Sequence, residues 1–560
     1  MDIKERALQL TKNLVGINSV NASEGEKKIG EYLYFYLSEI PYFTEHPNQV
    51  RKVELKNDPL HRVNVYALLI GEKSDCKDTI ILHGHTDTVA IDDYGALKEF
   101  ACDCDKLAEE LLKIKETLAE DVRKDLESGD YLFGRGANDM KGGDAVHIIV
   151  MEELCKRVKE IDGNILISFN PVEETLHKGF IDGIDNLSEF KEEFDLNYIM
   201  AINNDFTCGM YPGDTTRYIY TGSVGKLLPT FYIRGMESHV GQAFEAFEPS
   251  RVAGEIVKSL NLNCDYCDGY DNEYPAPPIV LKSQDLKPFY TVQTAVAAYV
   301  YVNYMVHNKG VSQVLSEMKQ IAENALDAVL EEMNERYKDY CRLTNAEYTR
   351  IEKPLSVLEY NDLYNKALEK YNKAASGSSN YSGSLDDYID KIAKESISEG
   401  DDARITSLKV VEKLSDIAGI KFPTVVVYFS TPHCPHNTLK SDVPEEKKLI
   451  DELQGILDEF QNKTGEKMKI MHFFPSLTDS SYLKIDDDIQ SIKDLENNFP
   501  EQKLLYPVPY EEIRKLNIPG INYGTWGKDA HKWTERVQIS YTFGTLPYLI
   551  MDTIQHYLVK

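Results

Sequence analysis

Four short aliphatic and β-branched runs, Val63 to Ile70, Thr79 to Leu82, Asn164 to Phe169 and Leu196 to Ile202, constrain this chain more than anything else in it. Each has the length of one strand. A charged helical stretch at 105–127 and a helical pattern at 143–159 lie between them. Strands alternating with helices bury both faces of a sheet, so the fold expected is α/β with a largely parallel sheet. Residues 2–14 and 23–39 read as amphipathic helices, and Ser23-Glu24-Gly25-Glu26 gives the second an acidic start.

The pattern changes near residue 215. Lys226 to Arg234 reads as a strand, Pro249 to Leu260 as a helix, and Pro278 to Lys282 and Ala295 to Val306 as strands. Gly310 to Tyr337 is a long helix. The order β-α-β-β-α implies a small α+β open-faced sandwich inserted into the first domain. Residues 374–384, rich in Gly and Ser, read as a mobile loop. Phe422 to Ser430 returns to a buried-strand pattern, 444–462 to an amphipathic helix, and Ile521 to Ile550 to alternating short signals. With 560 residues, too many for one core, the organisation expected is 1–214, 215–345, 346–420 and 421–560. The first and last segments together make one domain.

Lys plus Arg total 62 against 92 Asp plus Glu, a formal charge of -30. Such a field disfavours nucleic acid and anionic membrane as partners. Neither a signal peptide nor a bilayer-spanning run is read. Nine cysteines, an odd number spread over a long chain, suit a reducing compartment better than a disulfide framework. Cys264 and Cys267, and Cys102 and Cys104, lack a second pair at zinc-finger spacing and read as free thiols. A cytoplasmic protein is expected.

Five polar segments carry chemistry. Leu82-His83-Gly84-His85-Thr86-Asp87-Thr88-Val89 closes an apolar strand, where ligands of α/β sheets gather. A His with an Asp two residues on can be a metal ligand with its own orienting carboxylate; a polar turn is the plain reading. Gly134 to Gly143 wraps glycines around one acid, Asp139. Glu173-Glu174 follows Asn170-Pro171-Val172, and adjacent carboxylates at a strand end repel unless a cation or proton intervenes. Glu152-Glu153, Glu192-Glu193 and Glu331-Glu332 read as solvated helix charge. Ile202-Asn203-Asn204-Asp205 and Gly527 to Glu535, which contains His531, are weak singly. Together, four acids and two histidines at successive strand ends supply what two divalent cations need.

These segments, in this order, resemble the dizinc aminoacylase/carboxypeptidase family of metallopeptidases, the group of glutamate carboxypeptidase, peptidase T and succinyl-diaminopimelate desuccinylase. Leu14 to Leu37 resembles its opening helix pair. Gly222 to Gly241, with Glu237-Ser238-His239, resembles the start of its lid. Ser476-Leu477-Thr478-Asp479 and His531 resemble its C-terminal signatures. The wording of Thr221 to His239 is most similar to the family's arginine-utilisation branch, the RocB-like proteins.

The resemblance implies a phosphorylase/hydrolase-like metallopeptidase catalytic domain with a mostly parallel mixed sheet. It also implies a ferredoxin-like lid/dimerisation domain inserted into it. It implies two divalent transition metal ions, zinc first with cobalt or manganese open. His85 and Asp205 would hold one, Glu174 and His531 the other, and Asp139 would bridge them. Glu173 would be general base and then general acid, Asp87 would orient His85, and His239 would meet the oxyanion. The peptide after Asp139 is expected to be cis. A homodimer through the lid is expected, with a monomer if the segment at about 343–420 covers the lid instead; its charged helices look solvent-exposed.

Three departures stand out. Ala90 follows Asp87-Thr88-Val89 where the family usually has Pro. Asp205 lies in Ile-Asn-Asn-Asp-Phe where many members have Glu-Pro. The strand Ala298 to Val306 carries no Arg to grip a substrate carboxylate. A small peptide, an N-acyl amino acid or another amide all suit as substrate. The rival readings are a catalytically inactive binding protein on the same fold, and a redox or transferase enzyme. No Gly-x-Gly-x-x-Gly after an early strand and no Walker-type loop supports the latter.

Overall fold

The computed structural model describes residues 1–375 and 383–559. Most of the Gly/Ser run at 374–384 lies outside the described residues. The chain forms two compact units. The first gathers Met1–Ser223, His436–Asp486 and the stretch from Pro509; the second gathers Val224–Pro435 and Asp487–Val508.

An eight-stranded mixed sheet forms the first unit. Its order is Val50–Glu54, Val63–Ile70, Asn164–Asn170, Asp78–His85, Asn197–Asn203, Gly520–Asn522, Arg217–Tyr220, Met468–Met471. The pairs around Asp78–His85 are parallel, and the first two strands run antiparallel. Asn164–Asn170 is buried at every residue, because helices cover both faces, which is why it reads as an unbroken apolar run. The helices Ile3–Val15, Lys141–Cys155 and Leu546–Leu558 share one core with the sheet, through Leu10, Ile148 and Leu549 among others. Register places the motifs. His85 lies opposite Asn170, His83 opposite Asn203, and Asn203 opposite Asn522. The loops that follow these strands therefore open side by side.

The charged stretch expected as one helix over 105–127 is two, Cys104–Lys113 and Glu120–Ser128, with extended backbone at Leu118 and Ala119 between them. Leu118 leaves the helix to enter a local core with Leu107, Leu111, Val122 and Leu126.

The second unit holds a sheet in the order Ile279–Asp285, Ala297–Val306, Pro229–Arg234, Thr424–Phe429, Ser356–Glu359, with Gly225–Leu227 paired to the end of Ala297–Val306. The expected β-α-β-β-α succession is present, its helices being Pro249–Leu260 and Val311–Thr344. Two sequence expectations change here. Residues 421–435 and 487–508, grouped by sequence with the first domain, belong to the second unit, the former because Thr424–Phe429 is hydrogen-bonded in register to Pro229–Arg234. The segment at about 343–420 is not a solvent-exposed addition. Its strand Ser356–Glu359 extends the sheet in parallel, and Leu363, Leu385, Ile389, Val411 and Leu414 form a buried core with Tyr232, Tyr299 and Tyr428 of the sheet. All nine cysteines are free thiols, and among the described residues no helix is long and apolar enough to cross a membrane.

Candidate metal centre

His85 ends its strand with its imidazole 2 % exposed. Asp139 sits between Tyr131–Phe133 and the helix Lys141–Cys155, on a loop that turns through Gly136 at φ +80, where a side chain would be strained. The Asp139–Met140 peptide is cis. Glu173 and Glu174 open a four-residue helix, Glu173–Leu176, bounded by Val172 and His177, both left-handed at φ +72 and +51. Its first two N–H groups are orphans of any helix start. Asp87 accepts both, Oδ1 from Glu173 at 3.0 Å and Oδ2 from Glu174 at 3.1 Å.

These residues converge. His85 Nε2 lies 3.0 Å from Asp139 Oδ1, and His531 Nε2 lies 3.1 Å from Asp139 Oδ2 and 2.9 Å from Glu174 Oε1. Each oxygen of Asp139 thus faces a different histidine. Glu173 Oε2 is 4.0 Å from His85 Nε2. Burial would raise the Asp139 carboxyl, but hydrogen bonds from His531 and His85 hold it below the usual range. Burial and the Asp139 charge push Glu174 up, and push Asp205 up to about 7. Burial pushes Glu173 far up. Against burial, Asp139 and Glu174 raise His531 to about 11, and Glu173 and Asp139 hold His85 well above its ordinary value.

The remaining expected residues are placed as follows. The Asp87 carboxylate is 3.7 Å from His85 Nδ1, whose hydrogen-bond partner at 3.2 Å is the Asp87 backbone carbonyl. The same carboxylate also organises the Glu173–Glu174 turn. Asp205 is buried at the end of its strand, accepts from Phe206 N at 2.7 Å, and feels the charges of Asp139 and His85. His239 belongs to the second unit, where it is exposed and accepts from Gly241 N.

Several supporting residues carry no signal of their own in the sequence. Glu535 is buried, accepts the N–H groups of Asn138 and Asp139 at 3.1 and 3.3 Å, and pairs with Arg135. The run Thr478 to Ser481 lies beneath the strand ends. Thr478 accepts from Asn203 at 2.6 Å, Asp479 is 3.0 Å from His177 Nδ1, Ser480 is 3.1 Å from His83, and Ser481 is 2.9 Å from Ser223. Only Thr478 and Asp479 stood out in the sequence, as a resemblance. His177 Nδ1 is also 3.8 Å from Glu173. Asp144 is fully buried with neither oxygen hydrogen-bonded, and burial pushes its carboxyl far up.

The residues fit two divalent ions. His85, Asp139 and Glu174 present ligand-type atoms within 4.8 Å of one another. Asp139, Glu174, Asp205 and Glu173 crowd four buried carboxyls against two imidazoles, and burial of so much acid is costly without cations. Imidazole nitrogens mixed with carboxylate oxygens are donors for zinc and its first-row neighbours.

A family model described as Peptidase family M20/M25/M40 matches residues 81–484. Protein RocB of Bacillus subtilis (strain 168) is 34% identical to this chain, over 100% of it and 96% of that protein. The uncharacterized protein YqjN of the same organism is 32% identical, over 98% and 96%. Among solved structures, the Saccharomyces cerevisiae dipeptidase Dug1p superposes with a TM-score of 0.51 at 10% identity, over 99% of this chain and 96% of that one. The Bacillus cereus aminopeptidase PepT does so with 0.50 at 13%, over 99% and 98%. These two likenesses bear on the fold.

Proposed function

Since this chain belongs to peptidase family M20/M25/M40, and is therefore a metallopeptidase-type hydrolase, we propose that it cleaves an amide bond in a small peptide or N-acyl amino acid. The observation that carries the reading is the Asp139 carboxylate held between two histidines, with Glu173 4.0 Å from one of them. His85 and Asp205 would hold one ion and Glu174 and His531 the other, with Asp139 shared. Two such ions, when bound, lower the pKa of water and polarise a carbonyl.

The chain's own groups do the rest. Burial raises the Glu173 carboxyl, which makes its carboxylate a stronger base toward attacking water and a group able to release that proton to the leaving nitrogen. Asp87 fixes the backbone on which Glu173 and Glu174 stand. Glu535 fixes the backbone of Asp139. His239 would donate to the oxyanion, a role that rests on the family resemblance. The strand Ala297–Val306 has no arginine, which favours substrates that are not gripped by a free carboxylate there. Similarity to RocB supports, as a proposal, a part in amino-acid (arginine) utilisation, and nine free cysteines support a cytoplasmic setting.

Elemental analysis of chelator-free protein tests the metals: two transition-metal ions per chain are expected. A panel of dipeptides and N-acyl amino acids, assayed under defined metal, tests the reaction. Glu173→Gln should keep both ions and lose ~10²–10⁴-fold in turnover, the usual cost of removing a general base. A protein that binds metal but turns over no member of the panel would favour the inactive binding reading.

A further inference from the structure

His531 stands on a loop with little of its own to hold it. The loop joins Gly527–Lys528 to Arg536–Gln538, which pair as antiparallel strands. Asp529 and His531 are both left-handed, at φ +57 and +65, a conformation uncommon for residues with a Cβ. The His531 side chain is 47% exposed, so packing does not set its ring.

Its ring faces Asp139 and Glu174, and the loop that carries it is held by Arg536, whose side chain is completely buried. Nη1 donates to Asp529 Oδ2 and, at 3.1 Å, to the Thr534 carbonyl. The other two nitrogens leave the hairpin. Nε donates to Asp125 at 2.7 Å and Nη2 to Asp121 at 2.9 Å, both on the helix Glu120–Ser128. Lys528 also donates to Asp125, at 2.8 Å. Trp533, two residues past His531, packs on the small core that the 92–128 segment builds around Leu107, Leu111 and Val122.

The other end of the same segment reaches Asp139. Asp93 accepts from Arg135 Nη2 at 2.8 Å, Arg135 Nη1 donates to Glu535 at 2.8 Å, and Glu535 accepts the Asp139 N–H. One surface segment thus grips the supports of two residues of the metal centre.

We propose that the 92–128 segment is a brace that fixes His531 against Asp139, with Asp125, Asp121 and Asp93 as its positioning residues. This rests on the two-metal reading. A ligand that must be held from outside its own loop loses affinity when the hold is removed, and losses of ~10–100-fold are typical of such supporting residues. The two arms act differently. Asp125 acts only through Arg536 and Lys528 on the His531 loop. Asp93 acts through Glu535 on the residue shared by both ions.

The test is a zinc titration of the full chain against a competing chelator, comparing wild type with Asp125→Asn, Asp121→Asn and Asp93→Asn. Wild type should take two ions. Asp125→Asn should weaken one binding step by ~10-fold or more and leave the other unchanged. Asp121, 61% exposed, gives a milder variant that keeps the fold, and the same step should weaken less. Asp93→Asn should weaken both steps. Glu127→Gln on the same helix, whose carboxylate pairs with Lys115 at the surface, should change neither. Two ions bound by Asp125→Asn as tightly as by wild type, or both steps weakened equally by it, would overturn the brace. A wild type that binds fewer than two ions would overturn the metal reading itself and the brace with it.

Discussion

The Glu26 side chain has no exposed surface, yet it is a carboxylate, bonded to Arg62 at 2.9 Å. Burial, helped by the nearby Asp87 charge, raises it to about 7 in spite of Arg62. Between the ordinary glutamate value near 4.5 and about 7, the folded chain keeps a proton here that the unfolded chain has released. The stability this gives is complete below 4.5 and drains away as pH rises toward 7. A Glu26→Gln variant lacks that dependence. Its melting temperature, set against wild type from pH 4.5 to 7.5, should gain on wild type steadily as pH rises. A gap that stays constant across this range would show that Glu26 is ionised throughout.

At the scale of elements, the centre depends on a strand end and a helix start lying closer than side chains permit. Gly84, one residue before His85, faces the helix Lys141–Cys155. A Cβ there would meet Asp144 Oδ1 at 2.3 Å and Met140 Cε at 2.7 Å. Gly84→Ala must displace the Asp144 and Met140 side chains, and Met140 sulfur accepts the His85 N–H at 3.2 Å. Such overpacking costs about 1–3 kcal/mol, and zinc affinity should fall with it. Gly254, in the helix Pro249–Leu260, is the opposite case: a Cβ there would meet nothing within 4 Å. Gly254→Ala should therefore be neutral or stabilise by up to ~1 kcal/mol, since alanine is the better helix former. Thermal melts and zinc titration of both variants check the contrast.

For the whole molecule, assembly is the property that the second unit bears on. Its sheet has the helices of the 343–420 segment over Tyr232, Tyr299 and Tyr428, and that segment's strand Ser356–Glu359 on one edge. The opposite edge, Ile279–Asp285, carries Lys282 and Asp285 and a break in register between Val280 and Lys282. Charges and bulges of this kind discourage edge pairing. The sequence favoured a lid dimer on the premise that the segment was solvent-exposed, and without that premise a monomer is expected. Light scattering should give a mass near 63.8 kDa. Twice that mass would restore the dimer and the possibility that His239 serves a partner's active site.

How much of this was legible follows from distance along the chain. His85, Asp139 and Glu173-Glu174 were readable because each ends an apolar run or sits among glycines, a local pattern. Ser480 meets His83 across 397 residues, and Glu535 meets Asp139 across 396. Nothing near either residue announces its partner. Within the 92–128 segment, only the charged helical stretch at 105–127 was read, for the same reason: the arginines that give the segment's aspartates meaning are Arg135 and Arg536, both outside it in the sequence.

Gly520–Asn522 is three residues long, yet it lies between Asn197–Asn203 and Arg217–Tyr220 in the middle of the main sheet. A ribosome delivers it more than 500 residues after the first helix begins. Until then the sheet is two fragments with open edges, and pairings so remote in sequence form slowly and leave a nascent chain prone to aggregate. His531 arrives later still. A chain that stops short at residue 515 would carry His85, Asp139 and Glu174 but neither the strand that joins the sheet nor His531. Newly made protein would therefore be unable to assemble this centre until residues 520–531 have been made, and products truncated before them should be found with chaperones and not in the active pool.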